Sequence, residues 1–163
     1  MHGVSKWVVF VSIVSFAAGC SAASPVAPVK AASPAKAGAV TWETSFDAAK
    51  KLAAEKKLPI LADFSGSDWC GWCIKLDEEV FSQPAFGAFA KDSVVLFLAD
   101  FPRRTPQSDE LKKQNQQLAE KYGIEGFPTV LLLDADGKVL AQTGYEPGGA
   151  ESYVKHLKGL LKK

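Results

Sequence analysis

The sequence predicts an α/β fold, a mixed central sheet with helices on both faces. Apolar runs of strand length at Pro59–Phe64, Val94–Ala99 and Thr129–Leu133 alternate with segments of helical period. The turn Asp134-Ala135-Asp136-Gly137 leads from the third run straight into a fourth, so parallel pairing gives way to an antiparallel hairpin. A Cys-x-x-Cys, Cys70-Gly71-Trp72-Cys73, stands where the first apolar run hands over to a helix.

Each element has its own signal. Thr44 or Ser45 caps a helix to about Lys56, with Phe46, Ala49, Leu52 and Ala53 on one face. Pro59–Phe64 is continuously apolar, as a strand covered on both sides must be. The helix from about Cys70 carries Cys73, Leu76 and Val80 inward and Asp77, Glu78 and Glu79 outward. Pro84 opens a short helix with Phe86 and Phe89, and Val94–Ala99 forms the next buried strand. After the loop Phe101 to Ser108, Ser108 or Asp109 caps a helix to about Tyr122, with Leu111, Leu118 and Tyr122 inward. Gly137 supplies the positive φ of the hairpin turn into Lys138 to Gln142. A closing helix, Glu151 to Leu161, presents Tyr153, Val154, Leu157, Leu160 and Leu161, with His156 on its exposed side. This domain spans 40–163, enough chain for one hydrophobic core.

What precedes it is of another kind. Residues 1–19 read as a lipoprotein-type signal peptide: Lys6, an apolar stretch from Trp7 to Ala18 too short for a comfortable membrane span, then small residues. Phe16-Ala17-Ala18-Gly19-Cys20 resembles the bacterial lipobox, with Ala17 where Leu is usual, which makes Cys20 the lipidated first residue of the mature protein. The competing reading is cleavage after Ala22 or Ala23, which discards Cys20. Lipidation is preferred because a lone cysteine is a liability in an oxidising compartment. Ser21 in place of Asp favours the outer membrane, by the same resemblance. Residues 20–39 form the anchor and an Ala/Pro-rich tether spanning roughly 25 Å as a coil. The chain holds 19 basic and 18 acidic residues, a balance that argues against nucleic acid as partner.

The cysteines narrow the chemistry. A four-ligand zinc site is not expected, since a second Cys-x-x-Cys is absent and His2 lies in the segment read as a signal, and Ile74 stands where covalent haem attachment needs His. One local pair is no disulfide scaffold. A strand-to-helix Cys-x-x-Cys is instead a redox device. Unpaired N–H groups and the positive end of the helix dipole favour Cys70 as thiolate, the nucleophile of disulfide exchange. Cys73, one turn later, is placed to attack the mixed disulfide.

Ile60-Leu61-Ala62-Asp63-Phe64, then Trp69-Cys70-Gly71-Trp72-Cys73, then Tyr122-Gly123-Ile124-Glu125-Gly126-Phe127-Pro128-Thr129, resemble the thioredoxin superfamily in register, with one extra residue between Asp63 and Trp69. The stretch Ser65 to Cys73 is most similar to exported thioredoxin-like lipoproteins of the disulfide-interchange type. The resemblance covers Val40 to Lys163 and implies the thioredoxin fold. It implies a cis Phe127–Pro128 bond that turns its loop against the sulfurs, with residue 127 offering backbone N–H and C=O to a substrate strand. It also implies that Asp63 is buried beneath the pair and handles the proton of Cys73, with a pKa raised by desolvation. Substrate contacts fall on Trp69, Gly71, Trp72, Phe127 and Pro128.

Trp72 also helps set the redox potential, so the direction of electron flow is not fixed by the resemblance. Phe127 is closer to reductase-type members than to isomerases. A carboxylate at Asp68 disfavours the Cys70 thiolate if close, though a capping or solvated role is preferred. For Arg103 and Arg104 an exposed basic loop is preferred over a site for acidic partners. The reading is therefore a membrane-tethered, periplasm-facing, monomeric thiol–disulfide oxidoreductase, with no cofactor beyond Cys70–Cys73. It acts on proteins with disulfides or thiols and is fed by a membrane electron-donor protein. The alternatives are an isomerase or oxidase built from the same parts, or a metal-handling, cytochrome-assembly lipoprotein.

Overall fold

The computed structural model describes residues 40–162; the export segment, Cys20 and the tether fall outside the described residues. Five strands form one sheet in the order β1-β3-β2-β4-β5: β1 Trp42–Glu43, β2 Ile60–Ser65, β3 Val95–Asp100, β4 Thr129–Leu133 and β5 Val139–Thr143. β1 and β2 flank β3 in parallel, β4 runs antiparallel to β2, and β5 antiparallel to β4. The sheet is therefore mixed, as expected. The two-residue edge strand β1 was not anticipated, because two residues carry no readable periodicity.

β2 is buried along its full length and alternates its side chains between two cores. Ile60, Ala62 and Phe64 join Phe46, Ala49 and Ala53 of α1 (Phe46–Lys56) and Leu118 of α4 (Asp109–Tyr122). Leu61 joins the opposite core with α2 (Gly71–Leu76), α3 (Pro84–Ser93) and α5 (Gly149–Leu160). Asp63 and Ser65 follow Leu61 on that second face. Ser45 and Ser108 cap α1 and α4 with their hydroxyls, choosing between the two candidates at each start.

The helix after the cysteines is not a single α-helix. After Leu76 it widens into a π-helical turn, Asp77–Phe81, with no proline to break it. Val80 and Phe81 still reach the core while Asp77, Glu78 and Glu79 stay outside. In α4, Leu111 is only half-buried, and the buried place beside Leu118 goes to Asn115, whose amide donates to Asp100 O and accepts from Gln114. His156 is a correction: it is half-buried, 2.9 Å from Thr143 Oγ1, because α5 lies against the end of β5.

Candidate active site

All the loops that matter leave one end of the sheet. The parallel strands β2 and β3 end there, at Ser65 and Asp100. β4 begins there, since Thr129 pairs with Phe64, and β5 ends there, since Thr143 pairs with Val130. Loops 66–70, 101–108, 124–128 and 144–148 thus converge, as sites in open α/β sheets do.

Cys70 and Cys73 form a disulfide with Cα atoms 5.3 Å apart. Cys70 occupies the N-cap of α2 with extended backbone, and its sulfur accepts the N–H of Cys73 at 3.3 Å. A sulfur thus takes the role usually filled by a serine or aspartate oxygen, which favours negative charge on it. Cys73 lies on the buried face of the same turn, with 4% exposure against 7% for Cys70.

Asp63 is 5% exposed, and its Oδ1 has no hydrogen-bond partner among the described residues. Burial above all, then the nearby carboxylates Asp100 and Asp77, pushes its pKa up to about 8. An orphaned buried carboxyl is costly, so a group held this way is protonated in most molecules at neutral pH. It shares the sheet face that α2 covers. Tyr153, whose phenol donates to Gly144 O, closes the same region, and burial, then Asp63, raises its pKa as well.

The aromatic walls are tied together. Trp69 donates Nε1–H to Phe101 O at 2.8 Å and meets Phe127 edge-on. Phe127 also packs on Phe101, ring centroids 5.1 Å apart, and its bond to Pro128 is cis. Gly66 makes this possible: a Cβ there would stand 2.6 Å from Trp69 ring atoms. Trp72 is 58% exposed beyond the sulfurs and packs on Tyr145 at 5.2 Å. Lys75 Nζ lies 5.3 Å from the Trp72 ring and 5.2 Å from that of Tyr145, whose hydroxyl donates to Glu79 at 2.8 Å. Tyr145 carried no sequence signal; it lies in a loop with no motif.

Asp68 caps backbone N–H groups, as preferred, but those of a different loop. Its Oδ1 accepts the N–H of Arg103, and its Oδ2 those of Arg104 and Thr105, at 2.8–2.9 Å. The bond from Arg103 N–H leads in holding its carboxyl down at about 2. The carboxylate is a clamp for the 101–108 loop, and Arg103 Cζ lies 3.6 Å from the Trp69 ring centroid. Gly71 has open space around its Cα, next to Trp72 on the exposed turn.

Comparisons with known proteins agree with this geometry. Residues 46–158 match the family described as thioredoxin-like domain. Over 129 residues the chain is 38% identical to the disulfide bond reductase DsbH of Chlamydia pneumoniae, covering 79% of this chain and 77% of that protein. It is 30% identical over 105 residues to the thioredoxin-related protein DsbJ of the same organism, covering 64% of this chain and 30% of the relative. A solved structure titled DsbH oxidoreductase superposes with a TM-score of 0.73 at 38% identity, covering 76% of this chain and 85% of the other.

Proposed function

The chain belongs to the thioredoxin-like domain family and is a thiol–disulfide oxidoreductase, and from that premise we propose that it works as a reductase of disulfides in exported proteins. The observation that carries the reading is the pairing of Cys70, N-capping α2 with its sulfur, and Cys73 one turn below, on the face that also holds Asp63. The Cys70 thiolate attacks one sulfur of the partner's disulfide; the partner's other sulfur leaves as thiolate and takes a proton from water. Cys73 then gives its proton to ionised Asp63 and attacks Cys70, releasing the second partner thiol and leaving the Cys70–Cys73 disulfide. In the return step protonated Asp63 supplies Cys73 with its proton. A carboxyl with pKa about 8 serves both directions near neutral pH.

The DsbH relative, named as a reductase, supports this direction, as does the resemblance of Phe127 to the residue of reductase-type members. Lipidation at Cys20 with the 20–39 tether would hold the domain at the periplasmic face of a membrane, within reach of an electron donor there. A metal-handling role is not favoured, since the relatives DsbH and DsbJ are named as a disulfide bond reductase and a thioredoxin-related protein.

Two measurements test the reading. Cys73→Ser should accumulate mixed disulfides through Cys70, and equal trapping by Cys70→Ser would overturn the assignment of Cys70 as the nucleophile. The Cys70/Cys73 potential should fall near about −270 mV; a value near about −120 mV makes the protein an oxidant instead.

A further inference from the structure

The loop between β3 and α4 brings two arginines to the rim of the site, and neither guanidinium is paired with a carboxylate among the described residues. Asp68, the acid nearest in contact, gives its two oxygens to the peptide N–H groups of residues 103–105 and not to a guanidinium. Asp100 is taken by the N–H and hydroxyl of Ser67, and Asp109 pairs with Lys112. Neither Arg103 nor Arg104 has a salt bridge among the described residues, and both are exposed. Arg103 is nonetheless held in place: its guanidinium stacks on Trp69, the residue before Cys70. Trp69 is itself bonded to Phe101 at the root of the same loop. The chain as a whole is nearly neutral and Asp68 beside the loop stays ionised, so the rim's net positive charge is small and local, carried outward by the two exposed guanidinium groups.

A fixed, unpaired guanidinium beside a nucleophilic sulfur fits a carboxylate on the approaching partner. We propose that Arg103 and Arg104 form a basic rim that selects polypeptides with acidic residues flanking the disulfide, with Asp68 as the positioning residue that folds the loop into place. This rests on the reading of the protein as a reductase of protein disulfides and adds the charge class of its substrate.

The test uses two synthetic peptides that differ only in Glu or Lys flanks around one cysteine, each as its mixed disulfide with 2-mercaptoethanol. Rates with the reduced full-length protein are divided by rates with dithiothreitol, which removes the intrinsic effect of the flanks on disulfide reactivity. At about 0.01 M ionic strength the Glu peptide should react roughly tenfold faster, and the preference should collapse at about 1 M, where the Debye length shrinks from about 30 Å to about 3 Å. Arg103→Gln with Arg104→Gln should abolish the low-salt preference. Arg103→Lys should keep most of it. Asp68→Asn removes a negative charge, which alone would strengthen the preference, so a weakened preference reads release of the loop and a strengthened one overturns the positioning role of Asp68. A salt-independent ratio in the wild type overturns the proposal without any variant, as does a ratio that the double substitution leaves intact. If the wild type reduces neither peptide, the reductase reading itself falls, a result distinct from equal reduction of both.

Discussion

The Phe127 ring meets the Trp69 indole edge-on, centroids 6.0 Å apart, and so joins the cis-proline loop to the loop that carries the cysteines. Phe101 completes the contact on the other side of Phe127. Phe127→Ala removes both aromatic contacts from a half-buried position. The expected cost is about 1–2 kcal/mol, below that of a fully buried phenylalanine. Urea unfolding checks it through the midpoint. Phe127→Leu should recover a good part of the loss, and an unmoved midpoint for Phe127→Ala would mean that the two loops are held together by other contacts.

Asp63 links stability and turnover with opposite signs. Its pKa in the folded state, about 8, lies above the ordinary carboxylate value of the unfolded chain. Between about pH 4 and pH 8 the native state therefore binds more protons than the unfolded state, and stability falls as pH rises. The slope is at most about 1.4 kcal/mol per pH unit, and it vanishes above the folded pKa, where both states are ionised. Asp63→Asn should flatten this limb and raise stability at pH 7. The same substitution removes the proton acceptor for Cys73 and should slow release of the mixed disulfide roughly 100-fold. Denaturant melts across pH and stopped-flow resolution kinetics read the two effects. A variant that is more stable and equally fast would remove Asp63 from the mechanism.

The sheet and the cysteine helix were readable in the sequence because their signals are dense. β2 is buried throughout and mostly apolar, so its one carboxylate stands out as a residue that needs a reason to be there. The Asp-Ala-Asp-Gly turn announces its hairpin: Gly137 has φ +84°, and Asp134 Oδ1 accepts the N–H groups of Asp136 and Lys138. What stayed hidden depends on contacts between loops. Asp68 reads locally as a cap, yet its partners lie across the site in residues 103–105. Tyr145 has no periodic context at all and acquires meaning only when Trp72 lies against it. His156 falls on the polar side of its own helix, but β5 ends beside it and supplies Thr143. Spacing along one element does not report what a neighbouring element brings.

Gly66 tests how firmly the Trp69 wall is set. A methyl group at this position would stand 2.6 Å from the indole Cε2 and Nε1, so the ring must move. Moving it breaks the bond from Nε1 to Phe101 O and draws the stacking surface away from Arg103. Gly66→Ala should cost about 1–3 kcal/mol, the usual range for forcing extra atoms into a packed site. Trp69 emission should shift to the red as the indole meets more water. Unchanged emission and stability would show that the loop yields by a backbone shift instead.

Trp72 offers a large apolar surface to solvent, and three side chains keep it still. Tyr145 packs on it at a tilt of 44°, Lys75 sits over both rings, and Glu79 holds both the Tyr145 hydroxyl and, at 3.8 Å, Lys75. The ion pair is exposed and adds little by itself, so the ring contact should dominate. Tyr145→Ala should therefore change global stability by less than about 1 kcal/mol while freeing the indole. The change is best read as a drop in the fast-timescale anisotropy of Trp72 fluorescence, with the other tryptophans replaced by phenylalanine one at a time to assign the signal. Tyr145→Phe keeps the ring and loses only the bond to Glu79, so it should resemble the wild type. If Tyr145→Phe frees the indole as fully as Tyr145→Ala does, the hydrogen bond to Glu79 is the anchor, and the ring contact follows from it.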